Sequence, residues 1–327
     1  LTANVSYSGA DASGNVSVHG IYSFGGQVTI SKNVIQHLSW SINNANINSF
    51  YDNAISYGIN LNYASSAIIK NNRIRDISNS YSSGGVDGSA HLNSVGINVS
   101  GSDNVSILKN RITDLDFSAT VSDPTDASYL NVTSYGMFLF RMNNATISGN
   151  RFNRISSSGD AGNANTMFHY IYGIYMNTVG GMVSDNRVAN YSVTSAVANG
   201  GINQLFYAMQ SSTQSTAAVT NNLIRNITTT TTGATSSHQD AGMFIAYAPN
   251  LVLEGNEISP FTSTSANGNN TMYGINFGSD ASKTRMIDNI VLGDANFIGT
   301  SQVGLYLPSD STLDIDIIHN TVANWKY

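Results

Sequence analysis

Short alternations of apolar and polar residues recur along the whole chain. One type of segment runs into an asparagine, as in VTISKN ending at Asn33 and ATISGN ending at Asn150. Period-2 alternation over four to six residues predicts a strand with one buried and one exposed face. Nine such asparagines occur, 31 to 40 residues apart: Asn33, Asn72, Asn110, Asn150, Asn186, Asn222, Asn256, Asn289 and Asn320.

A second marker lies 13 to 16 residues before each asparagine. It is a small residue followed by two alternating apolar positions, as in YGINLN at Gly58 and YGMFLF at Gly136. A third alternation follows each asparagine, as in RIRDI after Asn72. Each unit therefore predicts three short strands. A unit of this size cannot bury its inner face alone, but stacked units bury a continuous core.

The paired markers resemble the right-handed parallel β-helix, the fold of pectate-lyase-like enzymes, bacterial autotransporter passengers and phage tailspikes. The resemblance covers roughly residues 15–327 and concerns the fold rather than the function. It implies an all-β, single-stranded solenoid of about nine coils with three short strands per coil. We expect one domain over residues 1–327, with residues 1–18 as N-terminal edge or assembly strands.

The recurring asparagine has two physical uses in such a fold. Asparagine tolerates a left-handed backbone at a sharp bend between strands. Its amide also both donates and accepts, so stacked asparagines can bond to one another along a buried corner. We therefore predict that the nine asparagines form a structural ladder rather than a ligand site.

Long polar insertions follow the third strand of several units, as in residues 78–94, 118–134 and 156–171. In solenoids, insertions at one position of the repeat map to loops on one flank, often the binding face. A second interpretation is that the insertions pair among themselves, as residues 129–134 and 165–171 could.

Composition narrows the possible functions. The chain has 42 Asn, 45 Ser and 26 Thr, and only 10% of its residues are charged. Fourteen basic among 20 acidic residues give no net positive field, which argues against a nucleic-acid binder. The absence of cysteine excludes disulfides and thiolate chemistry, and no apolar run is long enough for a membrane helix. Scarce Lys and Glu favour an extracellular or cell-surface protein, and the start at Leu1 suggests a processed chain or fragment.

The outward positions of the first strand form what we call the outer stripe. In pectate-lyase-like proteins this face binds polysaccharide, so the resemblance implies a glycan site here. Aromatic rings beside amides suit sugar stacking, and they suit burial under loops or another subunit equally well. The outer stripe comprises Tyr22, Asn60, Asn98, Phe138, Tyr175, Phe244, Asn276 and Tyr306.

The enzymes of this fold need more than this stripe offers. Glycoside hydrolases need two or three carboxylates, and pectate-type lyases need a base and Ca²⁺ held by acidic residues. The sequence lacks the Asn-Thr-Asp, Asp-Asp and Gly-His-Gly elements of polygalacturonases and the Arg-x-Pro-x-x-Arg element of pectate lyases. It also lacks the Asp-Pro-His-Glu element of alginate epimerases. We assign no catalytic residue, metal or cofactor, although a lyase or hydrolase stays the alternative.

Three smaller constellations carry charge. Arg73, Arg111, Arg151 and Arg187 each follow a ladder asparagine; we call them the arginine strip. Stacked about 4.8 Å apart, they should repel one another unless anions or carboxylates lie between them, and Asp76 and Asp114 are the nearest candidates. The strip is either a site for acidic polysaccharide or an exposed charge row. In the second constellation, Asp103, Asp280 and Asp310 follow the first strand; they are either turn-forming residues or, for Asp280 and Asp310 on adjacent coils, ligands that share Ca²⁺. The third is His238 with Asp240, and His169 near Arg141, a possible proton-transfer group.

Two further expectations concern modification and assembly. Of the nine Asn-x-Ser/Thr sequons, we expect Asn98 and Asn104 to be the most accessible to glycosylation. No capping helix is readable at either end, so end-to-end or lateral self-association is expected. The sequence thus predicts a non-enzymatic, structural or adhesive surface rod. A polysaccharide-active enzyme and a carbohydrate-binding or tailspike-like module are the alternatives.

Overall fold

All regular structure in the described part of the chain is β-strand. The computed structural model describes residues 3–8, 15–44, 51–83, 89–121, 129–160, 166–196, 203–212, 217–232, 237–247, 250–259, 261–265, 270–278, 283–294, 301–307 and 314–325. The strands are β1 (Ala3–Ser8), β2 (Asn15–Phe24), β3 (Gln27–Ser31), β4 (Val34–Asn44), β5 (Tyr51–Asn62), β6 (Ser66–Lys70), β7 (Arg73–Ser83), β8 (Ser89–Ser100), β9 (Val105–Leu108), β10 (Arg111–Val121), β11 (Tyr129–Ser148), β12 (Arg151–Asp160), β13 (Thr166–Ser184), β14 (Arg187–Ala196), β15 (Asn203–Ser212), β16 (Ala217–Thr220), β17 (Leu223–Thr231), β18 (Ser237–Tyr247), β19 (Val252–Glu254), β20 (Glu257–Ile258), β21 (Phe261–Ser265), β22 (Asn270–Phe277), β23 (Thr284–Ile287), β24 (Ile290–Leu292), β25 (Ser301–Tyr306), β26 (Ile315–Ile318) and β27 (Thr321–Ala323).

Each strand pairs in parallel with its equivalent in the next repeat, so the protein is a parallel β-solenoid. The third-strand sheet runs β1-β4-β7-β10-β12-β14-β17-β20-β24-β27. The first-strand sheet runs β2-β5-β8-β11-β13-β15-β18-β22-β25. Between them lies the second-strand sheet, which is built from the short strands β3, β6, β9, β16, β19, β23 and β26 and the C-terminal parts of β11 and β13. This confirms the predicted all-β solenoid with three strands per repeat.

The alternation read from the sequence determines which side chains face the core. In each sheet, equivalent apolar side chains from successive repeats stack inside the solenoid and lie in one hydrophobic cluster. The first strands contribute Ile59, Ile97, Met137, Ile174, Met243 and Ile275, the second strands Ile69, Ile107, Ile147, Val183, Val219, Leu253 and Met286, and the third strands Ile35, Ile74, Ile112, Phe152, Val188, Ile224, Ile258 and Val291.

The small residue of the second marker is required by close packing. A Cβ atom added to Gly136 would lie 2.4 Å from the carbonyl oxygen of Gly173 and 2.5 Å from Cδ1 of Phe152. Gly58 and Gly96 meet the carbonyl of the next repeat in the same way, at 2.6 Å. A side chain at Gly58, Gly96 or Gly136 would therefore force neighbouring repeats to shift.

The asparagine ladder is present and continuous. The Nδ2 atom of Asn110 donates to Oδ1 of Asn150 at 3.0 Å, and Nδ2 of Asn150 donates to Oδ1 of Asn186 at 2.9 Å. The same oxygen of Asn150 accepts the backbone N–H of Asn110 at 2.9 Å, and Nδ2 of Asn150 also reaches the carbonyl of Ile107 at 2.8 Å. Equivalent amide bonds run from Asn33 to Asn320. The ladder thus satisfies the polar backbone of a buried corner.

The expectation of a left-handed backbone at the ladder asparagines is wrong by one residue. None of the nine has a positive φ; the residue immediately before each one does. That position is occupied by Lys32, Asn71, Lys109, Gly149, Asp185, Asn221, Gly255, Asp288 and His319. The bend is made one residue earlier because the asparagine itself must turn inward to reach its neighbours.

Three insertions and the N-terminal segment also join the sheets. Residues Tyr129–Ser134 pair with Thr166–Ile171 and with Ser89–Ser94, which confirms that these insertions pair among themselves. Strand β1 pairs with β4, and β2 pairs with β5, so residues 1–18 include edge-strand structure.

Candidate functional site

The outer face of the first-strand sheet carries a cluster of aromatic side chains that is separate from the core. Strands β11 and β13 pair in register, so Tyr135 lies beside Tyr172 and Phe138 lies beside Tyr175. The cluster around Tyr172 is distinct from the hydrophobic core inside the solenoid. We call the following six residues the aromatic face: Tyr135, Phe138, Phe140, Tyr170, Tyr172 and Tyr175.

The rings of the aromatic face are held in a regular array. Tyr135 and Tyr172 stack with centroids 5.0 Å apart and planes 10° apart, and Phe138 and Tyr175 stack at 5.1 Å and 2°. Within each strand the rings meet edge to face: Tyr135 with Phe138 at 5.0 Å, and Tyr172 with Tyr175 at 5.1 Å. Both arrangements are favourable for aromatic pairs, so the array is rigid. The guanidinium of Arg141 lies 4.8 Å from the centroid of Phe140, at the border of the face.

The aromatic face is electrically neutral near pH 7. Burial raises the pKa of the Tyr135 hydroxyl well above its usual value, with a smaller contribution from Tyr175. Burial also raises the pKa of Tyr57, Tyr170 and Tyr273 on the same sheet and lowers the pKa of His19. These groups therefore keep their uncharged forms. Among the side chains of this face that the structure describes, we find no carboxylate.

The outer stripe is only partly accessible. Tyr22 and Tyr306 are exposed, and Phe138, Tyr175 and Phe244 are half-buried. The amides of Asn60, Asn98 and Asn276 are only 6 to 7% exposed, which contradicts their expected role as direct ligand contacts. Oδ1 of Asn60 accepts hydrogen bonds from Asn98 at 2.7 Å and from Asn62 at 3.0 Å. Asn60 and Asn98 thus bond to each other across adjacent repeats, whereas Asn276 lies between Phe244 and Tyr306 of its neighbours.

Sequence analysis overlooked the tyrosine column beside the stripe. Tyr57, Tyr135, Tyr172 and Tyr273 each precede the marker glycine, and Tyr135 and Tyr172 are direct neighbours in adjacent repeats. Val95 occupies the same position between Tyr57 and Tyr135. The recurring Tyr-Gly pairs carry this signal in the sequence, whereas the outer stripe lies two residues after the glycine. The tyrosine and outer-stripe columns together form the array, because rings in adjacent columns touch edge to face.

The arginine strip is the second candidate site. Arg73 pairs in register with Arg111, Arg111 with Arg151, and Arg151 with Arg187, as the sequence predicted. The first three are exposed, and Arg187 is half-buried. In the described part of the chain none of the four forms an ion pair within 4.0 Å.

The expected carboxylate partners of the strip bind other cations. Asp114 accepts a bidentate pair of hydrogen bonds from Arg154, with Nη2 2.8 Å from Oδ2. The hydrogen bond from Arg154 lowers the pKa of Asp114, and Arg111 adds only a weaker, longer-range effect. Asp76 lies 3.6 Å from Nε of Arg75 and 3.7 Å from Nδ1 of His37.

The smaller constellations lie only partly within the described residues. Asp103 accepts a hydrogen bond from Asn143 at 2.8 Å, and Asp280 and Asp310 lie outside the described residues. Asp240 is fully buried and accepts from the Thr229 hydroxyl at 3.0 Å, while the side chains of His169 and His238 lie outside the described set. A search of the described residues finds no group of three or more His, Cys, Asp or Glu that could hold a metal ion.

The two sequons differ in accessibility. Asn104 is exposed, as expected, and its Oδ1 accepts from Asn144 at 3.3 Å. Asn98 is buried by its bond to Asn60, so the expectation that it is among the most accessible sites is wrong. A glycosyltransferase needs a free amide nitrogen, which Asn98 does not offer in the folded protein.

Comparisons with known proteins add no relative. No protein-family model matches the chain, and searches of curated proteins and of solved structures gave no significant match. Along the described stretches there is no helix long and apolar enough to cross a bilayer. The class of protein that the fold defines is therefore the parallel β-solenoid with an asparagine ladder.

Proposed function

We propose that the protein is a non-catalytic extracellular or cell-surface rod that binds a neutral glycan on the aromatic face. The observation that carries the proposal is the six-ring array on the solvent side of the first-strand sheet, outside the core. An aromatic cluster on an outer face is not required for folding, because the solenoid interior already buries a continuous core.

The chemistry of the face suits sugar rings. A sugar presents an apolar C–H face that packs on an aromatic ring and hydroxyls that bond to phenols and amides at its edge. At the edge of the face the Tyr175 hydroxyl accepts a hydrogen bond from Nδ2 of Asn177 at 3.5 Å, so a phenol and an amide lie side by side there. Because phenylalanine rings carry no charge and tyrosine hydroxyls are neutral at pH 7, the face favours an uncharged glycan over a uronate polymer.

The proposed role is adhesive or structural rather than catalytic. Two absences support this role. The sequence lacks the enzyme motifs, and the described side chains of the face include no acid–base pair. Secretion and self-association, whether end to end or lateral, belong to the same proposal. Electron microscopy of native material would separate filaments from isolated rods.

The test is binding of neutral oligosaccharides by isothermal titration calorimetry, after a glycan array has chosen the probe. Replacing Phe138 and Tyr175 together by Ala should weaken binding at least about ten-fold, because each stacked ring contributes roughly 1 kcal/mol. A Met182→Ala variant is the matched control, since Met182 is a large apolar residue, 43% exposed, on the neighbouring second-strand sheet.

The runner-up function is a polysaccharide lyase or hydrolase. It would be revealed by unsaturated product or new reducing ends from polysaccharides incubated with the protein, with and without Ca²⁺. Absence of any glycan binding, or equal loss of binding in the Met182→Ala control, would refute the proposal for the aromatic face.

A further inference from the structure

The arginine strip is a column of four like charges on the described surface. Its arginines occupy the same position in four consecutive repeats, immediately after the ladder asparagine, and their backbones pair in register. The ladder on their N-terminal side is fixed by side-chain and backbone hydrogen bonds. The backbone positions of the four arginines therefore form a single file at the strand spacing of about 4.8 Å.

Among the described residues, no ion pair within 4.0 Å involves the strip, although the protein is acidic. The protein has 20 acidic residues and a net charge of −6, yet the nearby Asp114 bonds to Arg154 and Asp76 lies by Arg75 and His37. More cations lie on the other side of the ladder, at Lys32, Lys70 and Lys109. The ladder corner of the N-terminal repeats is thus a local basic ridge on an acidic protein.

The charge changes sign along the same corner. Glu257 occupies the arginine position in the strand paired with β17, and Glu254 and Asp288 lie close to Asn256 and Asn289. A ligand that needs positive charge can therefore contact only the stretch from Arg73 to Arg187. The file of four arginines has room for a short segment of an extended polymer, one anionic group for each repeat.

We propose that the arginine strip binds an extended acidic polysaccharide whose carboxylates or sulfates each meet one arginine. Guanidinium groups bond carboxylate and sulfate oxygens in pairs, which suits a file of single anions. The strip is one residue wide and is flanked by the carboxylates of Asp76 and Asp114. A single polysaccharide chain is narrow enough to contact the arginines alone. A nucleic-acid duplex is wider and would also cover the flanking carboxylates, which repel its phosphates.

This site is independent of the aromatic face. The second-strand sheet lies between the ladder corner and the first-strand sheet, so the two surfaces can be altered separately. The two ligands also differ in chemistry, because the aromatic face is neutral and the strip is cationic.

The test measures binding of the full chain to polygalacturonate oligomers, with the fully methyl-esterified oligomer as the uncharged match. Heparin and a single-stranded oligonucleotide form two further arms. Replacing Arg111 and Arg151 together by Gln should weaken polygalacturonate binding at least about ten-fold and reduce the slope of log affinity against log salt by about 1.4, as loss of two contacts requires. Lys283→Gln with Arg285→Gln is the control, since it removes the same charge from exposed residues outside the strip.

The outcomes decide between the possibilities. Salt-sensitive binding of polygalacturonate or heparin that is lost in the strip variant and kept in the control supports the proposal, and the preferred polymer identifies carboxylate or sulfate as the anion. Three results overturn it: no binding at low salt, equal loss in both variants, or tighter binding of the oligonucleotide than of either polysaccharide. Circular dichroism of the variants shows that the strands are intact.

Discussion

The asparagine ladder and the arginine strip are adjacent columns of the same corner. Asn150 and Arg151 are neighbours in sequence, and each is stacked on its equivalents at the same strand spacing. Asn150 is fully buried and bonded on both sides, whereas Arg151 is exposed and has no ion-pair partner among the described residues. The asparagine column thus satisfies its own hydrogen-bonding groups, whereas the arginine column does not pair its own charges.

The difference shows what repetition does to a side chain. A solenoid places each residue against copies of itself, so a group that both donates and accepts is stabilised by stacking. A group that carries only positive charge is destabilised by the same stacking. The ladder is therefore explained by the fold alone. The strip has no such explanation, which is why we look for its partner outside the chain.

The largest effect should come from breaking the ladder. In Asn150→Ala, the backbone N–H of Asn110 and the carbonyl of Ile107 lose a buried partner, and the amides of Asn110 and Asn186 lose a neighbour. Because each orphaned buried group costs roughly 1–3 kcal/mol, we expect the free energy of unfolding to fall by about 3–5 kcal/mol. Urea unfolding followed by tyrosine fluorescence measures it.

Asn143→Ala is the control for the ladder. Asn143 is exposed and donates to Asp103 at 2.8 Å across the neighbouring repeat. Its loss should change the free energy of unfolding by less than about 1 kcal/mol, since water replaces the partner. A ladder variant as mild as this control would contradict the view that the corner depends on its amides.

The ladder could be predicted from the sequence because two markers recur together at a nearly constant spacing, which no single residue could show. Nine asparagines in step with nine small residues leave few folds that bury both. The position of the left-handed residue could not be predicted in the same way. Lys32, Asp185 and His319 occupy it as well as Asn and Gly, so residue preference does not mark it, and only the inward turn of the ladder side chain determines it.

The candidate sites were predicted less completely than the fold. Alternation identified which residues of the outer stripe face outward, but the exposure of Asn60 and Asn98 depends on bonds between repeats. The stacking of the arginine strip followed from the repeat. The pairing of Asp114 with Arg154 could not be predicted from the repeat. Both residues have a positive φ in the third strand, and this backbone conformation redirects their side chains.

A smaller effect should come from the paired neighbours of the strip. Asp114→Asn removes the carboxylate that Arg154 holds, and we expect the melting temperature at pH 7 to fall by roughly 1–2 °C, as is usual for an exposed pair. The pKa of Asp114 is lowered in the folded state, so its stabilisation is complete above the ordinary value of 3.8 and is lost as the pH falls through the lowered value.

Thermal unfolding of the wild type and Asp114→Asn at several pH values tests this assignment. The two melting temperatures should converge below pH 3.8 and stay apart above it. Asp116→Asn, on the same strand and also exposed, is the matched control; Asp116 accepts only the Ser156 hydroxyl, at 2.6 Å. A difference that grows as the pH falls would have the wrong sign for a carboxylate stabilised by an arginine.

The smallest effect should be a gain, not a loss, in the free energy of unfolding. It concerns Arg151, the residue next to Asn150. Arg151→Gln removes a charge that faces Arg111 and Arg187. Two unit charges about 4.8 Å apart in water repel by roughly 0.9 kcal/mol, and flexible side chains reduce this by moving apart. We expect a gain in the free energy of unfolding of roughly 0.5 kcal/mol at low salt that vanishes near 1 M salt, where charges are screened within about 3 Å. Urea unfolding at both salt concentrations measures it, and a loss of stability instead would mean that the arginines are held by contacts within the chain, which would remove the contrast with Asn150.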